Sequence, residues 1–109
     1  MDQKTSFSDW LGEGIENWNI LYRFHATRRM FQRNYTENDI LVCLENGTII
    51  EYYESDFPFP SFLINGRSNA NNPIHLVIGV DKTSKRIYVI TVYEPDTTKW
   101  NEDFNRRIK

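Results

Sequence analysis

The sequence predicts an α+β fold, with N-terminal helices packed on a four-stranded antiparallel sheet and a short closing C-terminal helix. Three observations predict it. Apolar residues recur at near-helical spacing up to Asn46, the period shifts toward two after Gly47, and hairpin-length connections join the strand candidates. With 109 residues, 39% of them hydrophobic and 15% aromatic, the chain is sufficient for one buried core.

The first helix is expected over residues 6–22, from the spacing of Phe7, Leu11, Ile15, Trp18 and Tyr22, with Ser8-Asp9 at its start. Gly12 and Gly14 oppose it by roughly 1 kcal/mol each relative to alanine. A second helix is expected over 25–34. At about 100° per residue, His25, Arg28, Arg29, Gln32 and Arg33 share one broad face, and Ala26, Met30 and Phe31 turn toward the core. Thr36-Glu37-Asn38-Asp39 then reads as an N-cap with acids in the first turn. Ile40 to Leu44 follow in a short third helix that Asn46-Gly47 stops, the glycine being free to take a positive φ.

Strands are expected over 48–54, 61–65, 74–81 and 86–93. Phe57-Pro58-Phe59-Pro60 cannot be a central strand, because proline lacks a donor, and reads as a loop covering a sheet edge. Residues 66–73 form a polar loop, and Lys82-Thr83-Ser84-Lys85 a hairpin turn. In the third strand Ile74, Leu76, Ile78 and Val80 share one face, and His75, Val77 and Gly79 the other. Helices over the first face leave His75 on an open face or in a groove. Trp100, Phe104 and Ile108 suggest the closing helix. Residues 1–21 are expected as a helical extension, and 22–109 as the domain proper.

Charge is distributed unevenly. Arg23, Arg28, Arg29 and Arg33, with His25, fall within eleven residues of a chain whose net charge is −2; without those four arginines the rest stands at −6. That pattern reads as a local anion site and argues against a broadly nucleic-acid-coating protein. One cysteine and two scattered histidines argue against structural zinc and exclude an internal disulfide. No phosphate-binding glycine loop, Ser–His–Asp order or metal motif occurs, so no cofactor is expected. Apolar runs fall far short of the roughly 20 residues that span a bilayer. Residues 1–6 carry no basic-then-apolar signal. The expectation is a cytoplasmic chain without membrane contact.

His25-Ala26-x-x-Arg29-Met30-x-x-Arg33, then Thr36-Glu37-x-Asp39-Ile40, Asn46-Gly47, Pro73-x-His75 and Thr91-Val92-Tyr93-Glu94-Pro95-Asp96 with Trp100 resemble the DUF-4258 domain of unknown function over about Tyr22 to Arg107. That family is similar to small prokaryotic toxins of the RelE, ParE and MqsR kind. The resemblance implies a RelE-like helix–sheet fold for residues 22–109, an antitoxin protein as partner, and messenger-RNA cleavage without metal.

Such cleavage needs a base for the 2′-hydroxyl, an acid for the leaving 5′-oxygen and cations for the phosphorane. His25 and His75 are candidates for the first two roles, Arg29 and Arg33 for the third through bidentate phosphate contacts, and Tyr93 for positioning phosphate or donating a proton. Plain structural roles compete with these. Arg29 and Arg33 can pair with Glu51, Glu54, Asp56 or Glu94, His75 can be a hydrogen-bonded strand residue, and Tyr93 can be packing. Phe57, Phe59, Trp10 and Trp100 can stack on bases or pack, with packing favoured for Trp100. Cys43, among apolar neighbours, is expected to be inert. The alternative function is a non-catalytic interaction module that docks a partner protein through the sheet edge or the arginine face.

Overall fold

The computed structural model describes residues 5–108. Residues 1–4 and Lys109, counted within the expected extension and domain, lie outside the described residues. The elements are α1 (Phe7–Leu11), a 3₁₀ turn (Ile15–Asn17), β1 (Asn19–Tyr22), α2 (Phe24–Arg33), α3 (Glu37–Asn46), β2 (Thr48–Tyr53), β3 (Ser61–Arg67), β4 (Pro73–Asp81) and β5 (Arg86–Tyr93). The fold is α+β, as the change of period at Gly47 indicates.

The sheet has five strands, in the order β1-β5-β4-β3-β2. The expectation of four antiparallel strands is corrected by β1, which runs parallel to β5 with Asn19 opposite Arg86 and Tyr22 opposite Val89. The expected helix over 6–22 ends at Leu11, because Gly12 takes the left-handed conformation (φ 80°) and caps it through Ser8. From Asn19 the backbone bonds outward, with the Asn19 N–H donating to the Lys85 carbonyl and the Arg23 N–H to the Val89 carbonyl, both at 3.0 Å. A four-residue strand is too short for alternation to declare itself. The helical spacing of Phe7, Leu11, Ile15 and Trp18 nevertheless marks burial correctly, since all four reach the main core. The division between residues 21 and 22 passes through β1.

α2 buries Ala26 completely and packs on β5. Phe31, expected toward the core with Ala26 and Met30, is instead 86% exposed, while Met30 packs on the core cluster. α3 starts with a full capping box, in which Asp39 N–H donates to Thr36 Oγ1 (3.1 Å) and Thr36 N–H to Asp39 Oδ2 (2.9 Å). Its stop at Gly47 does not use a positive φ (−81°). The glycine is required by close approach: a β-carbon at Gly47 would lie 2.5 Å from the Cys43 carbonyl oxygen, and one at Gly66 2.7 Å from the Cys43 Sγ. α3 is therefore seated hard against β3.

The closing helix is replaced by an irregular segment over residues 96–108. Asn101 Oδ1 accepts from the N–H groups of Asn105 (2.9 Å) and Arg106 (3.1 Å), so a side chain takes the donors that a helix would use. Trp100 and Arg107 then form a bridge. The Phe57–Pro60 loop, expected over a sheet edge, turns onto the face of the sheet opposite the helices, where Phe59 stacks on Tyr88 at 5.6 Å.

Phe7 has no exposed surface and packs edge-on against Phe62 at 5.9 Å. Replacing it by alanine is expected to destabilise the whole domain by about 3–5 kcal/mol, read as a shift of the urea unfolding midpoint with unchanged slope.

Candidate functional site

Alternation along β4 divides the sheet into two surfaces. Ile74, Leu76, Ile78 and Val80 lie in the core under the helices, and His75, Val77 and Gly79 face the other way. Among the described residues no helix packs across this second face, although the start of α2 reaches its edge. One end is roofed by residues 96–108, and the other opens into a cleft.

At the roofed end His75 is fully buried. Tyr93, directly opposite it on β5, donates its hydroxyl to His75 Nδ1 (3.1 Å), and His75 Nε2 donates to the Phe104 carbonyl (2.7 Å). Trp100 meets the imidazole edge-on at 4.6 Å. A shift in register between Ile49 and Glu51 leaves Ile50 unpaired on β2. Ile50 then packs with Leu63 and Trp100, and Glu51 meets Arg107. Arg107 donates to Glu51 Oε2 from Nε (2.7 Å) and to Oε1 from Nη2 (3.1 Å), while the Tyr53 hydroxyl donates to the same Oε1.

These contacts set the proton affinities. Burial pulls the His75 imidazole below its ordinary range, against the Phe104 carbonyl and Glu51, which raise it, and Arg107 lowers it further. Burial raises the Tyr93 phenol. The Arg107 hydrogen bonds hold Glu51 below the usual carboxylate range.

At the open end a cleft of about 740 Å³ is lined by Arg23, Phe24 and His25 from the start of α2, by the 56–59 loop and Ser61, and by Gly79, Tyr88 and Ile90 on the floor. A second register shift places Ile90 here, since Val77 pairs with Thr91 and Ile78 with Val89, leaving Ile90 unpaired. The Ser61 hydroxyl donates to Asp56 Oδ2. The Arg23 guanidinium lies 5.0 Å from the Tyr88 ring centre. Phe57 is 94% exposed and Phe24 77%.

The five candidate residues therefore divide into separate groups. His75 and Tyr93 form one hydrogen-bonded pair beneath the roof. His25 lines the cleft, exposed, and Gly79 on the cleft floor is four positions along β4 from His75, about 13 Å at the rise of a strand. Arg33 makes a loose 3.9 Å ion pair with Glu94, both side chains about half exposed. Arg29 is partly buried on α2 and has no ion pair among the described residues. Ser61 and Tyr88 were not foreseen, and Asp56 was expected as a partner for Arg29 or Arg33 and not as a cleft residue, because the loop fold and the bulge that bring them to His25 are long-range. The only local signal was the alternation that puts Tyr88 opposite Gly79. Cys43 is fully buried, its thiol pushed up to about 12 by that burial. No cluster of metal-ligating side chains occurs among the described residues, and no helix among them is long and apolar enough to cross a membrane.

These features define a small α+β domain with an unlayered sheet face, half cleft and half roofed. The chain belongs to the family described as domain of unknown function (DUF4258), which matches residues 22–94. No curated protein and no solved structure matches it.

Because Arg29 holds no carboxylate among the described residues, Arg29→Ala is expected to change stability by only about 0–1 kcal/mol. Thermal unfolding checks this. A loss of about 3–5 kcal/mol would reveal a buried partner.

Proposed function

We propose that the chain binds single-stranded RNA across the arginine face of α2 and the adjoining cleft, as the toxin of a toxin–antitoxin pair with a RelE-like fold. The observation that carries this reading is the meeting of cations without carboxylate partners among the described residues and exposed aromatic rings at the start of α2, where the Arg28 guanidinium lies 5.9 Å from the Phe24 ring centre. The sequence from Tyr22 to Thr36 contains no acidic residue, although the chain as a whole is acidic. Arg23, Arg28 and Arg29 have no carboxylate partner among the described residues. Beside them, Phe24 and Phe57 present exposed rings on which bases stack regardless of sequence. Phosphates on the arginines and a base at the cleft rim fit that arrangement.

In this reading His25 takes the 2′-hydroxyl proton, Arg29, one helical turn further along, stabilises the phosphorane charge, and the leaving 5′-oxygen takes its proton from solvent water in the open cleft. His75 and Tyr93 hold the surrounding sheet face in shape and do not touch the strand. A second reading, the interaction module, is favoured by Phe31. That ring is 86% exposed, lies outside the cleft, and suits an apolar contact with an antitoxin.

A short fluorescein-labelled single-stranded RNA tests the first reading by anisotropy. The double change Arg28→Ala and Arg29→Ala is expected to weaken binding and to reduce the salt slope by about 0.7 per lost phosphate contact. Phe57→Ala is expected to lose about 1–3 kcal/mol of affinity. His25→Gln is expected to keep binding and lose strand cleavage. If the intact chain does not bind RNA, or if Arg28, Arg29 and Phe57 can all be replaced without effect, the reading fails.

A further inference from the structure

We propose that residues 96–108 are a releasable strap over the open sheet face, latched by neutral His75 and let go when that imidazole takes a second proton. The inference does not depend on what the cleft binds.

The geometry fixes the latched state. The Phe104 carbonyl can only accept, so the 2.7 Å contact requires a proton on His75 Nε2. Nδ1 is then bare and accepts from the Tyr93 hydroxyl at 3.1 Å. With Tyr93 donating, the neutral ring satisfies both ring nitrogens as they stand. A second proton goes onto Nδ1, facing a hydroxyl that was donating to it. Tyr93 must turn, and the new charge has no water, since His75 has no exposed surface.

The charged and titratable groups around the ring do not relieve this. From β2, Glu51 favours the imidazolium, but both its oxygens are occupied by Arg107, and Tyr53 donates to one of them as well. From the strap, Arg107 opposes the imidazolium. From β5 there is only the Tyr93 hydroxyl. Burial is the largest influence, and it disfavours the charged ring.

The strap itself is held by few ties. It contains no helix or strand. Besides the packing of Trp100 and Phe104 and the Phe104–His75 bond, Asn65 Nδ2 donates to the Asp103 carbonyl (3.1 Å) and Arg107 grips Glu51 from a side chain 61% exposed. Segments of this kind open before the core does. Release uncovers Leu63, Val77 and Tyr93, which continue the cleft floor along the face. The sign is fixed by the lowered imidazole affinity. The latch is complete above the ordinary histidine value of about 6.5 and is lost as pH falls through the lower value of the folded ring.

Hydrogen exchange at about pH 7.5 and about pH 5, on either side of that ordinary value, tests the proposal once intrinsic rates are divided out. The amides of Trp100, Asn101, Phe104 and Ile108, all bonded within the strap, are expected to lose protection by up to about tenfold per pH unit as pH falls from the ordinary histidine value of about 6.5 toward the lower value of the folded ring. Amides of β4 should be unchanged. His75→Gln should abolish the pH dependence, and Glu51→Gln should lower strap protection at both pH values while keeping it. Equal protection at the two pH values, or an undiminished fall in His75→Gln, would overturn the proposal. If His75→Gln fails to fold, Tyr93→Phe decides. Removing the donor to Nδ1 should loosen the neutral latch and lower strap protection at about pH 7.5, and unchanged protection there counts against the latch.

Discussion

Strand β4 has to satisfy two surfaces at once, and most of the molecule follows from how it does so. Its even positions are apolar and sealed beneath the helices, while its inner odd positions carry a histidine, a valine and a glycine between Pro73 and Asp81. A slip of one residue would exchange the two sets, so register is enforced by the whole core. The odd face then acquires its relief from two bulges, one on β2 and one on β5. One turns Ile50 and Glu51 together toward the C-terminal segment and gives it both an apolar seat and an anchor. The other sets Ile90 into the cleft floor. Without these extra residues the second face would be a flat pleat with nothing to hold either a ligand or a strap.

Much of this architecture was legible in the sequence, for local reasons. Thr36 and Asp39 announce α3 because a capping box is completed within four residues. Alternation in β4 and β5 is long enough to be read directly. The N-terminal segment misled because Phe7, Leu11, Ile15 and Trp18 reach one core from a short helix, a 3₁₀ turn and the approach to a strand. Near-helical spacing of buried residues does not require one continuous helix. β1 owes its existence to β5, which lies more than sixty residues away, and no window of the sequence contains both. Trp100 and Phe104 were recognisable as apolar, but the Asn101 side chain that diverts their backbone from a helix acts only once the turn is formed.

The candidate site divides along the same line. His25 and Arg29 were readable because a helix fixes their relation by sequence spacing alone. Pairing His75 with Tyr93 needed the β4–β5 register, which aligned them as partners across the strands. The partners of His25 in the cleft needed both a bulge and the path of the 56–59 loop. Electrostatics were partly legible. The arginine run was plain, and Glu94 proved to be the carboxylate that reaches Arg33, yet Glu51 was claimed by an arginine from the far end of the chain.

The tight seating of α3 has a chemical consequence. Two glycines bring backbone so near Cys43 that the gap cannot admit a methyl group, and the thiol is fully covered. An alkylating reagent much larger than a methyl group has no route to the sulfur through side-chain motion alone. The rate at which this lone thiol is modified thus tracks separation of α3 from β3, which makes it a built-in clock for the rarest openings of the core.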